Sequence, residues 1–368
     1  MSGFSGTERY EVQRLLGQGG MGTVYSVFDR RRQRDVALKL LLDSEAGSLF
    51  RFKREFRAVA DLRHPNLVRL YDLGVLPQGG FFFTMELVDG LDLKAWVERK
   101  REESRRTIQV ASDGSAVGEM AETKLDLDAG DATETRTMPW APGGEDGDVT
   151  VHVARILGEV VEGLDYLHAC RKVHRDLKPS NVMVGADGRA KLLDFGIVRD
   201  LDTEGLTVEG AVGTPLYMAP EQIGGEETGP PADAYSLGCI LYQLLGGRPP
   251  FVGRASRVLM QHLREEPPPL SSLTPDADPR LAGLCGALLR KEPGERPNLA
   301  HVREVLAEVS GEAPRATTSI APPPAEVELL GREPELGRLE RAYQGLELGN
   351  RVVLVAGESG AGKSALIQ

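Results

Sequence analysis

The sequence predicts an α+β fold, and three observations carry that prediction. Apolar residues alternate in short runs near the amino terminus, where "YEVQRLL", "TVYSVF" and "DVALKLLL" read as strands. Helical spacing follows: Phe52, Phe56 and Val59 in "SLFRFKREFRAVADL", the segments "LDLKAWVERK" and "VARILGEVVEGLDYLHAC", and a pattern ending near Val309. Within that helical stretch, "VMV" and "AKLL" flank the turn "GADGR" and form a hairpin.

Composition narrows the function classes. A length of 368 residues favours about two domains, and 41% hydrophobic content is enough for a packed core. No run approaches the ~20 apolar residues of a membrane span. The opening "MSGFSGTERYEVQ" lacks the basic and apolar regions of a signal peptide, and Ser2 breaks the N-myristoylation pattern. Cys170, Cys239 and Cys285 are widely spaced, as reduced buried thiols would be, which fits a cytoplasmic location. A net charge of −11 argues against a nucleic-acid binder.

Two stretches interrupt the folded pattern. Residues 101–148 hold twelve Asp or Glu against five Lys or Arg, a net of −7, with no sustained period; they predict a disordered acidic insertion. The Pro-rich residues 310–327 predict an extended linker. Beyond it, the apolar run Val352–Ala356 leads into Gly357, Gly362, Lys363 and Ser364, in G-x-x-x-x-G-K-S spacing. A strand before such a loop and a helix after it suit backbone N–H groups that wrap a triphosphate. No chain remains for the later acidic residue that a working ATPase needs.

Chemistry-bearing residues concentrate earlier. Gly17, Gly19 and Gly22 have G-x-G-x-x-G spacing at the tip of a strand hairpin, where a missing side chain lets backbone approach phosphates. A dinucleotide fold would place a helix after the loop. From these residues alone, a hairpin without a ligand stays open. Lys39 lies in a buried strand and needs an anionic partner. Glu55 on the next helix is the residue to pair with it; the alternative puts Lys39 on a sheet edge and Glu55 on a solvated face. In "VHRDLKPSNVMVGADGRAKLLDFG", the hairpin brings Asn181 and Asp194 together as hard oxygen ligands for Mg²⁺. Asp176 is placed to accept a hydroxyl proton, and Lys178 to neutralise charge on a transferring phosphoryl group.

The ordered set resembles the eukaryotic-like protein kinases: Gly-rich loop, V-A-L-K, helix glutamate, H-R-D-L-K-P-S-N, D-F-G and A-P-E. "GQGGMGTVY" is similar to the bacterial (Hanks-type) serine/threonine branch. The resemblance covers about Tyr10 to Val309 and implies a bilobal kinase domain over 10–309. Its small β-rich N-lobe would span about 10–86 and its larger helical C-lobe about 89–309, with ATP and Mg²⁺ between them. It places Gly17, Gly19 and Gly22 over the phosphates. Lys39, paired to Glu55, would hold the α- and β-phosphates, with Asp176 as base, Lys178 beside the γ-phosphate, and Asn181 and Asp194 on metal. Met85 would be the gatekeeper, and the Glu86 carbonyl and Val88 N–H would bond adenine. Leu16, Val24, Ala37 and Met183 would bound its ring. No residue of this set is substituted, so the resemblance implies an active enzyme. "DLKPSN" and the Thr214 of "GTPLYMAPE" are similar to serine/threonine rather than tyrosine kinases.

Regulation follows from the same likeness. Arg175 could pair with a phosphate on the activation segment, with Thr207 preferred to Thr203 as acceptor. Glu221 and Arg296 resemble a buried ion pair, and Asp233 a helix aspartate that bonds the catalytic loop. Thr133, Thr135 and Thr137 make the insertion a candidate autophosphorylation or docking segment, with a passive spacer as the alternative. Residues 328–368 resemble the start of an AAA-like signalling ATPase module, cut short. The expected partners are protein substrates and the chain itself in trans. The alternative function is a non-catalytic ATP-binding module that relays a signal to the ATPase, and a third reading makes the ATPase the main activity.

Overall fold

A computed structural model describes residues 4–19, 22–41, 56–76, 80–112, 149–194 and 215–312. All lie in one compact unit, Met1–Ile320.

The amino-terminal strands are β1 (Tyr10–Gly19), β2 (Gly22–Asp29), β3 (Arg34–Leu41), β4 (Leu70–Val75) and β5 (Phe81–Met85). They form an antiparallel sheet of order β1-β2-β3-β5-β4. Alternation along β3 decides which residues meet which core, because side chains two apart share a face. Val36 and Leu38 pack with Tyr10, Val27 and Phe82 in a small outer core. Ala37 and Leu41 face the main core with Phe83, Met85 and the helix α1, described over residues 56–60. Lys39 shares that inner face and is 5% exposed.

The second lobe carries α2 (Leu93–Ser112), α3 (Val149–Ala169), α4 (Pro220–Gly224), α5 (Pro230–Gly246), α6 (Ala255–Arg264), α7 (Pro279–Leu288) and α8 (Leu299–Ser310). Every residue of α5 from Ala232 to Leu244 is buried, so it is the axle of this lobe. The chain leaves it at Gly247, which takes the left-handed conformation that ends a helix. A small sheet of β6 (Gly90–Asp92), β7 (Val182–Gly185) and β8 (Ala190–Leu192) lies at the top of the lobe. Asn66 ties the two lobes. It is buried, accepts the Leu192 N–H on its carbonyl oxygen, and donates its amide to the Ala190 carbonyl at 2.9 Å and to Glu159.

One boundary differs from the sequence expectation. The first twelve residues of the predicted insertion, 101–112, are helical, because α2 continues to Ser112. The apolar spacing of Leu93, Trp96 and Val97 stops before residue 101, and the Arg99–Glu103 and Lys100–Glu103 pairs carry the helix across the expected boundary. Residues 113–148 lie outside the described residues, as do the linker from 313 onward and the second P-loop residues Gly357, Gly362, Lys363 and Ser364.

His262 gives this lobe an acid sensitivity. It is fully buried on α6, its Nδ1 2.8 Å from the Tyr235 hydroxyl and its ring against Phe251. Burial, then the nearby Lys291 charge, pushes its pKa down to about 4. Between about 6.5 and that value the unfolded chain binds the proton and the folded chain does not, so stability falls as pH falls. The expected loss is about 3 kcal/mol on reaching pH 4. Urea unfolding at neutral pH and near pH 4.5 should show it, and His262→Gln should flatten the slope.

Candidate active site

The glycine hairpin forms as expected, with β1 and β2 closing at Gly19 opposite Gly22. The three glycines are there for different reasons. Gly22 has φ 143°, and a Cβ there would lie 2.1 Å from the Leu40 carbonyl oxygen. The close pairing of the start of β2 with the end of β3 therefore requires it. A Cβ on Gly17 or Gly19 would meet nothing within 4 Å, so the fold leaves those positions free for a ligand to use. Gly22→Ala is expected to cost about 1–3 kcal/mol in a urea melt, while Gly19→Ala leaves the melt unchanged. Leu16 sits at a register shift in β1 and is 39% exposed, an apolar side chain shortly before the turn.

Val24 pairs with Lys39 across β2 and β3, and Ala37 pairs with Met85 across β3 and β5, so these four share the inner face of the sheet. Past Met85, residues 86–89 join no strand. They carry Glu86 and Val88 between the lobes, while Met183 lies half-buried on β7.

The anionic partner of Lys39 is Asp194, with Nζ to Oδ2 at 2.5 Å across two chain segments 155 residues apart. Glu55, the partner expected from the sequence, lies outside the described residues. Asp194 has φ 52°, an unfavourable conformation for a residue with a Cβ, and its other oxygen, Oδ1, is buried with no hydrogen-bond partner among the described residues. That orphaned acceptor beside Asn181 is the chemistry a Mg²⁺ ion uses, since this ion takes one or two protein oxygens and draws the rest from phosphate and water.

Around Asp176 the loop is tightly specified. Lys178 Nζ donates to Asp176 Oδ2 at 2.7 Å, and the Asn181 amide donates to the same oxygen at 3.0 Å and to the Asp176 carbonyl at 2.7 Å. With its side-chain nitrogen so engaged, Asn181 has its side-chain oxygen Oδ1 left to offer a metal, its backbone carbonyl being used separately. Two bonds stitch this loop to the residue before Asp194: His174 Nε2–H to the Leu193 carbonyl at 2.9 Å, and Leu193 N–H to the Asn181 carbonyl at 2.8 Å.

Arg175 precedes Asp176 with φ 63°, a second strained backbone in the same centre. Both sides of its peptide are held. Asp233, fully buried on α5, accepts the N–H groups of His174 and Arg175 at 2.9 Å each and also bonds His168 Nε2 at 2.7 Å. Gln222 on α4 donates its amide to the Arg175 carbonyl at 2.9 Å while its Oε1 accepts the Ala219 N–H. Sequence reasoning found Asp233 and missed Gln222 and the Leu193 link. The one available signal for Gln222 was its place directly after A-P-E. The sequence-predicted Glu221–Arg296 pair is present and bidentate, at 2.6 and 2.8 Å. Thr203, Thr207 and Thr214, like Thr133, Thr135 and Thr137, lie outside the described residues.

A glycine hairpin, a buried lysine bound to a metal-type aspartate, and an aspartate–lysine–asparagine loop between two lobes together define a protein kinase site. The chain belongs to that family: residues 10–115 and 145–307 match the protein kinase domain. It is 33% identical over 341 residues to the serine/threonine-protein kinase PknB of Mycolicibacterium smegmatis, covering 87% of this chain and 47% of that one. It is 32% identical over 297 residues to the serine/threonine-protein kinase PknA of Mycobacterium tuberculosis, covering 78% and 58%. The chain thus spans about half the length of these curated relatives. The crystal structure of a mutant Mycobacterium tuberculosis PknI kinase domain matches with a TM-score of 0.57 and 27% identity, over 84% of this chain and all of that one.

Proposed function

We propose that this chain is a serine/threonine protein kinase that moves the γ-phosphoryl group of Mg·ATP to protein hydroxyls, itself included, in bacterial signal transduction. The observation that carries this is the pairing of Lys39 with Asp194 and of Asp176 with Lys178 and Asn181, the two groups tied by the Leu193 N–H on the Asn181 backbone carbonyl, with none substituted. Gly17, Gly19 and Gly22 cover the phosphates. Leu16, Val24, Ala37 and Met183 enclose adenine, which bonds the Glu86 carbonyl and Val88 N–H. Asn181 and Asp194 hold Mg²⁺, which draws off charge from the phosphate oxygens when bound. Asp176 accepts the hydroxyl proton, and Lys178 both fixes that carboxylate and neutralises the moving phosphoryl group. Glu55 orients Lys39 when the site is assembled, Arg175 receives a phosphate on Thr207, and Thr214 shapes the peptide site.

Among the described residues no helix is long and apolar enough to cross a membrane. A cytoplasmic location is our reading, supported by unpaired Cys170, Cys239 and Cys285. We read residues 328–368 as the start of a P-loop ATPase module, supported by the spacing of Gly357, Gly362, Lys363 and Ser364. The test of the acceptor class is phosphoamino-acid analysis of a generic protein substrate after incubation with labelled ATP. Phosphoserine or phosphothreonine is expected; phosphotyrosine alone would overturn the assignment.

A further inference from the structure

A groove of about 290 Å³ lies beside the hinge, lined by Arg63, His64, Arg69, Glu86 and Lys191 among others. Of these only Glu86 belongs to the nucleotide site proposed above. The groove is cationic. Among the described residues neither Arg63 nor Arg69 has a carboxylate partner, and Arg69 shares the Tyr71 ring with Arg34, another guanidinium without one. Lys191 is held by Glu86 at 2.9 Å, and Glu86 also accepts the Arg69 N–H at 3.2 Å. A single hinge side chain thus fastens β8 to the strand side of the molecule, and its lysine partner is open to competition.

The chain carries its own anionic competitor. Residues 113–148 hold ten Asp or Glu against two Lys or Arg, a net of −8. Most of this segment falls between the two stretches that match the family, so it is a feature of this chain rather than of the kinase fold. Its reach fits. It rejoins the fold at Val149, the start of α3, and the groove abuts the second half of that helix: Glu159 bonds the Ala190 N–H beside Lys191, and Tyr166 stacks on His64 at 5.1 Å. At 1.5 Å per residue that half lies roughly 15–26 Å from Val149. A flexible coil of half that 36-residue length would span about 24 Å.

We propose that the acidic insertion docks on this basic groove as an internal ligand and competes with Glu86 for Lys191. Occupation of the groove loosens or tightens the hinge from outside the cleft. That consequence for ATP rests on the hinge role proposed above; the docking itself does not.

Zero-length carbodiimide cross-linking of the full chain tests it, followed by peptide mapping at Lys191. The Lys191–Glu86 link must form in every sample and reports an intact fold. At low salt, links from Lys191 to carboxylates between 113 and 148 are expected. Combined Arg63→Glu and Arg69→Glu should cut them about tenfold, as should ~1 M salt, where the screening length is about 3 Å. A Lys191–Glu86 link with no insertion link, or insertion links that ignore both arginine changes, would overturn the proposal. So would links of mixed mass from a blend of labelled and unlabelled chain, which would make a second copy the donor. Since the readout needs no phosphotransfer, an inactive chain that still shows the links would count against the kinase reading alone.

Discussion

Asp176→Asn should leave a chain that folds and binds ATP but transfers phosphate about 10²–10⁴-fold more slowly, the usual contribution of a positioned base. The substitution is nearly isosteric, and asparagine retains one oxygen to accept from Lys178 or Asn181, which meet on Asp176 Oδ2 at 2.7 and 3.0 Å. It removes the negative charge and the proton-accepting capacity, and nothing in the adenine-binding face. Initial rates with a protein substrate and ATP affinity by calorimetry separate the two effects. A parallel loss of both would point to a collapsed loop instead, and an unchanged rate would remove Asp176 from the chemistry.

Arg296→Met should destabilise the fold by about 3–5 kcal/mol, the cost of leaving one buried charge without its partner. The Arg296 side chain is 1% exposed and that of Glu221 4% exposed. Arg296 also donates to the carbonyls of Arg290, Pro231 and Lys291, so it gathers the start of α5 and the turn before α8 onto α4. The double variant Glu221→Gln with Arg296→Met should cost clearly less than the two single losses added together, because it leaves no uncompensated charge. Urea unfolding of the four proteins measures this. Since α4 also carries Gln222, which holds the Arg175 carbonyl, Arg296→Met should lower phosphotransfer at temperatures below its melt.

How much of this was legible beforehand depended on the range of the interaction. The strand hairpins could be read because side chains alternate locally; the β7–β8 register follows that alternation, while β1–β2 departs from it at two register shifts. The burial of Lys39 was legible for the same reason. Its contact with Asp194 was not, because the two meet only when the lobes come together across 155 residues. The extension of α2 to Ser112 was not legible because the apolar spacing of its first part stops after Val97. In α5 periodicity carries little information, since every side of the helix is covered and a stripe has nothing to distinguish. The strained backbones of Arg175 and Asp194 are invisible to pattern reading: each is imposed by partners distant in sequence, Asp233 and Gln222 in the first case and Lys39 in the second.

The most direct measurement is the intact mass of the 368-residue chain after incubation with Mg·ATP, beside Asp176→Asn treated identically. Phosphate increments on the parent alone, mapping to serine or threonine, are the predicted result. A parent that binds ATP but gains no phosphate, or increments equal in both proteins, would contradict the assignment of phosphotransfer to this site.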